Sequence, residues 1–157
     1  MNLNISAETI ISEMDVLVAK IEDRRISSNK KMLKKIINKN YNLKDLSITE
    51  CHVISSIGNE EHVNGIRIAD KMGMTRGAIS KVVASLIKKG LIVSYQDGVN
   101  KKKIFYKLTP LGETINKIHN EEHEKRNLRM ANEINRYSEK EQEIILSFIK
   151  DLQDFLN

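Results

Sequence analysis

The sequence predicts a mainly helical chain with one β-hairpin near its centre, on three observations. Apolar residues recur at three- and four-residue steps through most of the 157 positions. The alternating, β-branched and aromatic segments are "LIVSYQ" and "KIFYKLT", separated by "DGVNKK". The seven glycines and the single proline punctuate these segments, standing at helix ends and in turns. With 40% hydrophobic residues, the chain is long enough for one domain with a modest core, extended by helices that pack against a partner.

Ile10, Met14, Leu17, Val18 and Ile21 form one face of a first amphipathic helix. The Lys-rich "RRISSNKKMLKKIINKNYNLKDL" is interrupted by Ser-Ser-Asn and Asn-Tyr-Asn, which predicts a separate short helix flanked by turns, with a solvated charged face. In "SITECHVISSIG", Thr49 is the expected N-cap of a helix carrying Val53, Ile54 and Ile57 and ended by Gly58. "HVNGIRIADKMG" follows as a short helix closed by Gly73. The third helix of this row lies in "MGMTRGAISKVVASLIKKGLI". Thr75 caps it, and Ile79, Val82, Val83 and Leu86 make its buried stripe.

That stripe leaves Arg76, Gly77, Ser80, Lys81 and Lys88 outward, with Lys89 expected on the same polar side. Two helices joined across "ADKMGMTRG" have the spacing of a helix-turn-helix, whose second helix enters the major groove of DNA. Small residues at Gly77, Ala78 and Ser80 permit close approach, while Arg76 and Lys81 have the reach for guanine edges or phosphates. The hairpin that follows has Asn100, Lys101, Lys102 and Lys103 at its tip, so the lysines are placed to track phosphates or the adjacent minor groove. The excess of 26 Lys and Arg over 21 Asp and Glu, a formal charge of +5, suits a polyanionic partner.

After the hairpin, Thr109 and Pro110 open a long helix with few apolar residues, read as a strut. The final segment starts with a Ser-x-x-Glu capping box and carries Phe148, Leu152 and Phe155 on a wide apolar face. The fold class expected is therefore mainly α: a winged helix-turn-helix with a two-stranded β-hairpin wing and N- and C-terminal dimerisation helices. Residues 1–40 supply the N-terminal dimerisation helix and connecting segment, 41–109 the winged-helix DNA-binding part, and 110–157 the C-terminal dimerisation helices. Leu17, Ile21, Phe148, Leu152 and Phe155 are the residues expected at the interface of a twofold homodimer.

This order of elements resembles the MarR family of bacterial transcriptional regulators over nearly the whole chain. The most specific pieces are "L-x-x-K-G-L-I" from Leu86 to Ile92 and "L-T-x-x-G" from Leu108 to Gly112. The resemblance implies a dimeric repressor that binds a pseudo-palindromic double-stranded operator, with recognition helices about one DNA turn, roughly 34 Å, apart. Members usually carry an Asp and an Arg at the wing tip, where this chain has Asn100 and Lys102. A lysine lacks the planar fork of an arginine and fits a phosphate contact instead.

"IHNEEHE" places His119 and His123 four apart on one helix face, a spacing that can hold one metal ion. The chain is similar to the zinc-sensing members in having a further histidine, His52, on an early helix. That likeness implies a zinc effector held by His52, His119 and His123. The acidic ligand of those members has no counterpart near Lys34, which leaves Glu50, Glu122 or water to complete the shell. A four-residue histidine pair on a charged helix is also commonly just solvated. The alternatives are a small organic effector, phenolic or lipophilic, or a helical protein-interaction module.

Other classes are set aside. A nucleophile elbow, a phosphate-binding glycine loop and a dinucleotide fingerprint are all missing, so an enzyme is not expected. No membrane-length apolar stretch or signal peptide is present, which makes a cytoplasmic protein the expectation. The lone Cys51 excludes an internal disulfide and should join the core, whereas His62 should be solvent-exposed and without a partner.

Overall fold

The computed structural model describes residues 6–39, 43–98 and 100–156, and at positions 100–102 the backbone alone. Six helices and three short strands follow in the order α1 (Ala7–Lys39), α2 (Ile48–Gly58), β1 (Val63–Asn64), α3 (Gly65–Met72), α4 (Arg76–Lys88), β2 (Ile92–Asp97), β3 (Asn100–Leu108), α5 (Pro110–Ile134) and α6 (Glu139–Phe155) among the described residues. No helix among them is long and apolar enough to cross a membrane. The chain forms two compact units, Met1–His119 and Asn120–Asn157, with the division inside α5.

In the first unit, α1 is one helix of 33 residues, not a helix followed by a separate short one. Ser27, Ser28 and Asn29 each cost only a few tenths of a kcal/mol in a helix. Met32 and Ile36 then continue the apolar spacing and are buried, so burial outweighs local preference. The N-cap of α2 is Ser47, two residues before the expected Thr49. Its backbone N–H donates to Glu50 Oε2 at 2.8 Å and its hydroxyl accepts from the Glu50 N–H at 3.1 Å, a complete capping box. Asn64 caps α3, and Gly73 ends it in the left-handed region at φ 61°.

β2 and β3 pair antiparallel from Ile92↔Leu108 to Gln96↔Ile104, with an irregularity between Gln96 and Asp97. β3 pairs on its other side with the two-residue β1, Val63↔Tyr106, which makes a three-stranded sheet in the order β1-β3-β2 where a two-stranded wing was expected. One core joins these elements. Cys51, Val53, Ile54 and Ile57 of α2 meet Ile68 and Ala69 of α3, Ile79, Val83 and Leu86 of α4, and Leu91 and Ile92 at the start of β2. The end of α1 adds Met32 and Ile36, and the start of α5 adds Ile115 and Ile118. Leu17 and Ile21, on the earlier turns of α1, are exposed.

In the second unit, the Ser138 capping box starts α6. Gln142 Nε2 donates to the carbonyls of Tyr137 at 2.8 Å and Ile134 at 3.3 Å, which closes the turn from α5. Phe148 and Phe155 of α6 are exposed, Phe155 to 84%, and Leu152 is half-buried.

The turn into α5 is tied by Thr109, whose hydroxyl donates to the Gly90 carbonyl at 2.7 Å and accepts from the Gly112 N–H at 3.1 Å. Gly112 thereby packs so close to the chain at Leu91 that an added Cβ would collide with the Leu91 carbonyl oxygen. Gly112→Ala is expected to cost about 1–3 kcal/mol by overpacking. At Gly77 a Cβ would meet nothing within 4 Å, so Gly77→Ala should leave thermal stability unchanged or raise it. Thermal unfolding of the two variants checks this: an unchanged midpoint for Gly112→Ala contradicts the close packing of α5 on Leu91.

Candidate nucleic-acid interface and histidine cluster

The Thr75 hydroxyl accepts from the Ala78 N–H at 3.2 Å and fixes the start of α4. Burial of Ile79, Val83 and Leu86 then turns Arg76, Gly77, Ser80, Lys81 and Lys88 to solvent. Lys103 on β3 is exposed, whereas the side chains of Asn100, Lys101 and Lys102 lie outside the described residues. The exposed face of α4 therefore combines small residues with two cations near its N-terminal end, the combination needed for close approach to a polyanion.

Lys89 departs from the sequence expectation. Its Nζ donates to both carboxylate oxygens of Glu50 at 2.8 Å and to the Asp45 carbonyl at 3.1 Å, which removes it from the outward face. The Ser85 hydroxyl also donates to Glu50 Oε1, at 2.7 Å. Glu50 is 5% exposed and is thus held by the α2 cap, the α4 residue Ser85 and Lys89 just after α4. Burial alone would raise its pKa, but the hydrogen bonds from Lys89, Ser47 and Ser85 together hold it below the ordinary carboxylate range. Cys51, fully buried beside it, is pushed up to about 12, first by burial and then by the Glu50 charge, so the thiol stays protonated.

His52 of α2 lies edge-on to His119 of α5, with ring centroids 5.3 Å apart. His123 follows one turn along α5, and the three offer nitrogen atoms that all lie within 4.8 Å of one another. His119 is 5% exposed and the other two are half-buried. Burial, and then the charge of Arg25, lowers the His52 pKa and favours the neutral imidazole that a metal requires. Three imidazoles at this separation fit a borderline-soft divalent ion such as zinc.

The group contains no carboxylate, so neither Glu50 nor Glu122 takes the place expected of it. Glu50 is committed to Lys89, Ser85 and the α2 cap, and Glu122 lies 3.4 Å from Lys125. A further neighbour was not legible in the sequence. Arg126 donates from Nη2 to His123 Nδ1 at 2.8 Å, three residues along the same helix. His62 is exposed as expected, but it has partners. It stacks edge-on to Phe105, with centroids 5.7 Å apart, and its Nδ1 is 3.4 Å from the Tyr95 hydroxyl.

The MarR family model matches residues 46–104, from the approach to α2 into the wing. The chain belongs to the MarR family. HTH-type transcriptional regulator PchR of Bacillus subtilis (strain 168) is 36% identical over 110 residues, which cover 70% of this chain and 65% of that protein, just under two thirds of its length. The family fold extends further. The crystal structure of adhesin competence repressor (AdcR) from Streptococcus pyogenes superposes with a TM-score of 0.70 at 20% identity, covering 97% of this chain and 98% of that one. The zinc-dependent MarR family regulator AdcR in its Zn(II)-bound state gives a TM-score of 0.61 at 24% identity, covering 72% and 78%.

The depressed Glu50 pKa has a definite sign for stability. The folded state holds the ionised carboxylate more tightly than the unfolded chain does, so its contribution is full above the unfolded value of about 4.3 and is lost as pH falls through the folded value. Glu50→Gln should therefore be less stable than the parent by about 2 kcal/mol at pH 7, and the gap should narrow below about pH 4. Urea unfolding of both proteins across that range measures it. A gap independent of pH excludes the charged hydrogen bonds as its source.

Proposed function

We propose that this chain is a homodimeric transcriptional repressor of the cytoplasm. In this reading it binds a pseudo-palindromic operator through α4 and the wing, and zinc is its effector. The observation that carries the DNA reading is the outward face of α4, where Arg76, Gly77, Ser80 and Lys81 stand opposite the buried Ile79, Val83 and Leu86. Gly77 supports it further. Nothing within 4 Å inside the chain requires a glycine there, so the reason for its small size lies with a ligand outside. Arg76 and Lys81 are assigned to base edges or phosphates, with Thr75 and Ser80 as neighbouring polar contacts. Asn100, Lys101, Lys102 and Lys103 are assigned to the backbone beside the wing.

A second copy is the partner proposed for the apolar side chains left in water: Leu17 and Ile21 of α1 in the first unit, and Phe148, Leu152 and Phe155 of α6 in the second. His52, His119 and His123 would hold the effector ion. When bound, it supplies a positively charged cross-link between α2 and α5. The cluster of three imidazoles supports this assignment, as does the likeness in fold to a regulator named as zinc-dependent.

The test selects a binding duplex from a random pool and measures affinity with added zinc and with a chelator. Arg76→Ala or Lys81→Ala should weaken specific binding by about 1–3 kcal/mol, while Lys103→Ala should weaken all sequences alike and flatten the salt dependence. Zinc should change the affinity of the parent, and His119→Ala with His123→Ala should abolish that change. Affinities indifferent to zinc would point to an organic effector. Binding indifferent to both α4 substitutions would point to a protein-interaction module.

A further inference from the structure

The histidine cluster carries a charge imbalance that the zinc reading leaves open. Three neutral imidazoles bring no negative charge to a divalent ion, and a four-coordinate ion has one position more than they fill. Glu121, Glu122 and Glu124 stand beside His123 in the sequence, yet no oxygen of theirs belongs to the group. Cys51, next to His52, is buried on the core side and kept as a thiol. The positions outside the described residues contain no His, Cys, Asp or Glu that could enter from there.

The neighbouring charges are instead positive. Arg126 places a guanidinium nitrogen 2.8 Å from His123 Nδ1, and Arg25 acts on His52. A guanidinium has no acceptor, so in this contact it donates to the His123 lone pair, the same kind of lone pair that a metal uses. If the ion ligates at Nδ1, Arg126 must release that nitrogen. Its planar fork then stands free beside a site with excess positive charge, where it matches a carboxylate or phosphate.

On the reading of His52, His119 and His123 as a metal site, we infer that the fourth ligand is an exogenous oxyanion, bound to the ion through one oxygen and hydrogen-bonded by Arg126. The chain would then respond to metal and anion together. Each lowers the cost of placing the other in a half-buried site, so the two bind with positive coupling.

The experiment uses the full chain and cobalt(II), whose visible spectrum reports its coordination, in chloride-free buffer with no added anion, with acetate, and with phosphate. An oxyanion should change the spectrum and tighten cobalt binding by about tenfold. A response to acetate alone identifies a carboxylate ligand, and one to phosphate alone a phosphate. Arg126→Ala should still bind cobalt but lose the anion response. Its side chain stands on the surface, so the fold should survive the change. Cobalt binding with a spectrum and affinity indifferent to both anions would overturn the inference and leave water or a partner copy as the fourth donor. An anion response retained by Arg126→Ala would overturn the role given to Arg126. Absence of cobalt binding in every buffer would overturn the metal reading itself, and the inference with it.

Discussion

Glu50 is a carboxylate taken out of water at the point where α2 begins and α4 ends. Its two oxygens accept from the Ser47 N–H, the Ser85 hydroxyl and the Lys89 ammonium, all at 2.7–2.8 Å. Burying a charge in this way is costly unless its hydrogen bonds are made, and here one group satisfies a helix start, a helix side and the cation that follows the helix end. The constraint is geometric as well as energetic. α4 cannot rotate or slide along α2 without breaking a charged hydrogen bond in a half-closed space. The direction in which Arg76 and Lys81 point is thus set partly from the far end of their own helix.

The apolar core completes that fixation. Ile79, Val83 and Leu86 fill the side of α4 that faces α2 and α3, so the opposite side is left for an external partner. The same α2 that holds Glu50 presents His52 to His119 of α5, two residues after the buried carboxylate. One rigid helix therefore carries both the anchor of α4 and one member of the histidine group. Family membership rests on matched sequence, and the fold on that together with the order of elements. The effector assignment rests on the histidines and their surroundings.

Much of this was legible in the sequence because it is periodic or local. The stripe of α4, the caps at Thr75 and Ser138, the hairpin strands and the burial of Cys51 follow from spacing and short-range hydrogen bonds. The errors share a physical origin. Ser27, Ser28 and Asn29 look like a break until tertiary burial of Met32 and Ile36 carries the helix through them. Thr49 and Ser47 are both reasonable caps, and Glu50, three residues after Ser47, decides between them. Lys89 looks like one more solvated lysine because its partner Glu50 lies 39 residues earlier, beyond any local pattern. Of the histidine group, the four-residue pair was visible, whereas the missing carboxylate and the Arg126 contact appear only in three dimensions.

The claim that Glu50 and Lys89 act as one unit is tested most directly by a double-mutant cycle on unfolding free energy at neutral pH, using Glu50→Gln, Lys89→Met and the pair. The account predicts that the double variant is more stable than the sum of the single losses requires, by a coupling of about 1–3 kcal/mol, because each single change strands a partner in a closed space. Additive losses, within about 0.5 kcal/mol, would contradict it and reduce the contact to an ordinary surface ion pair.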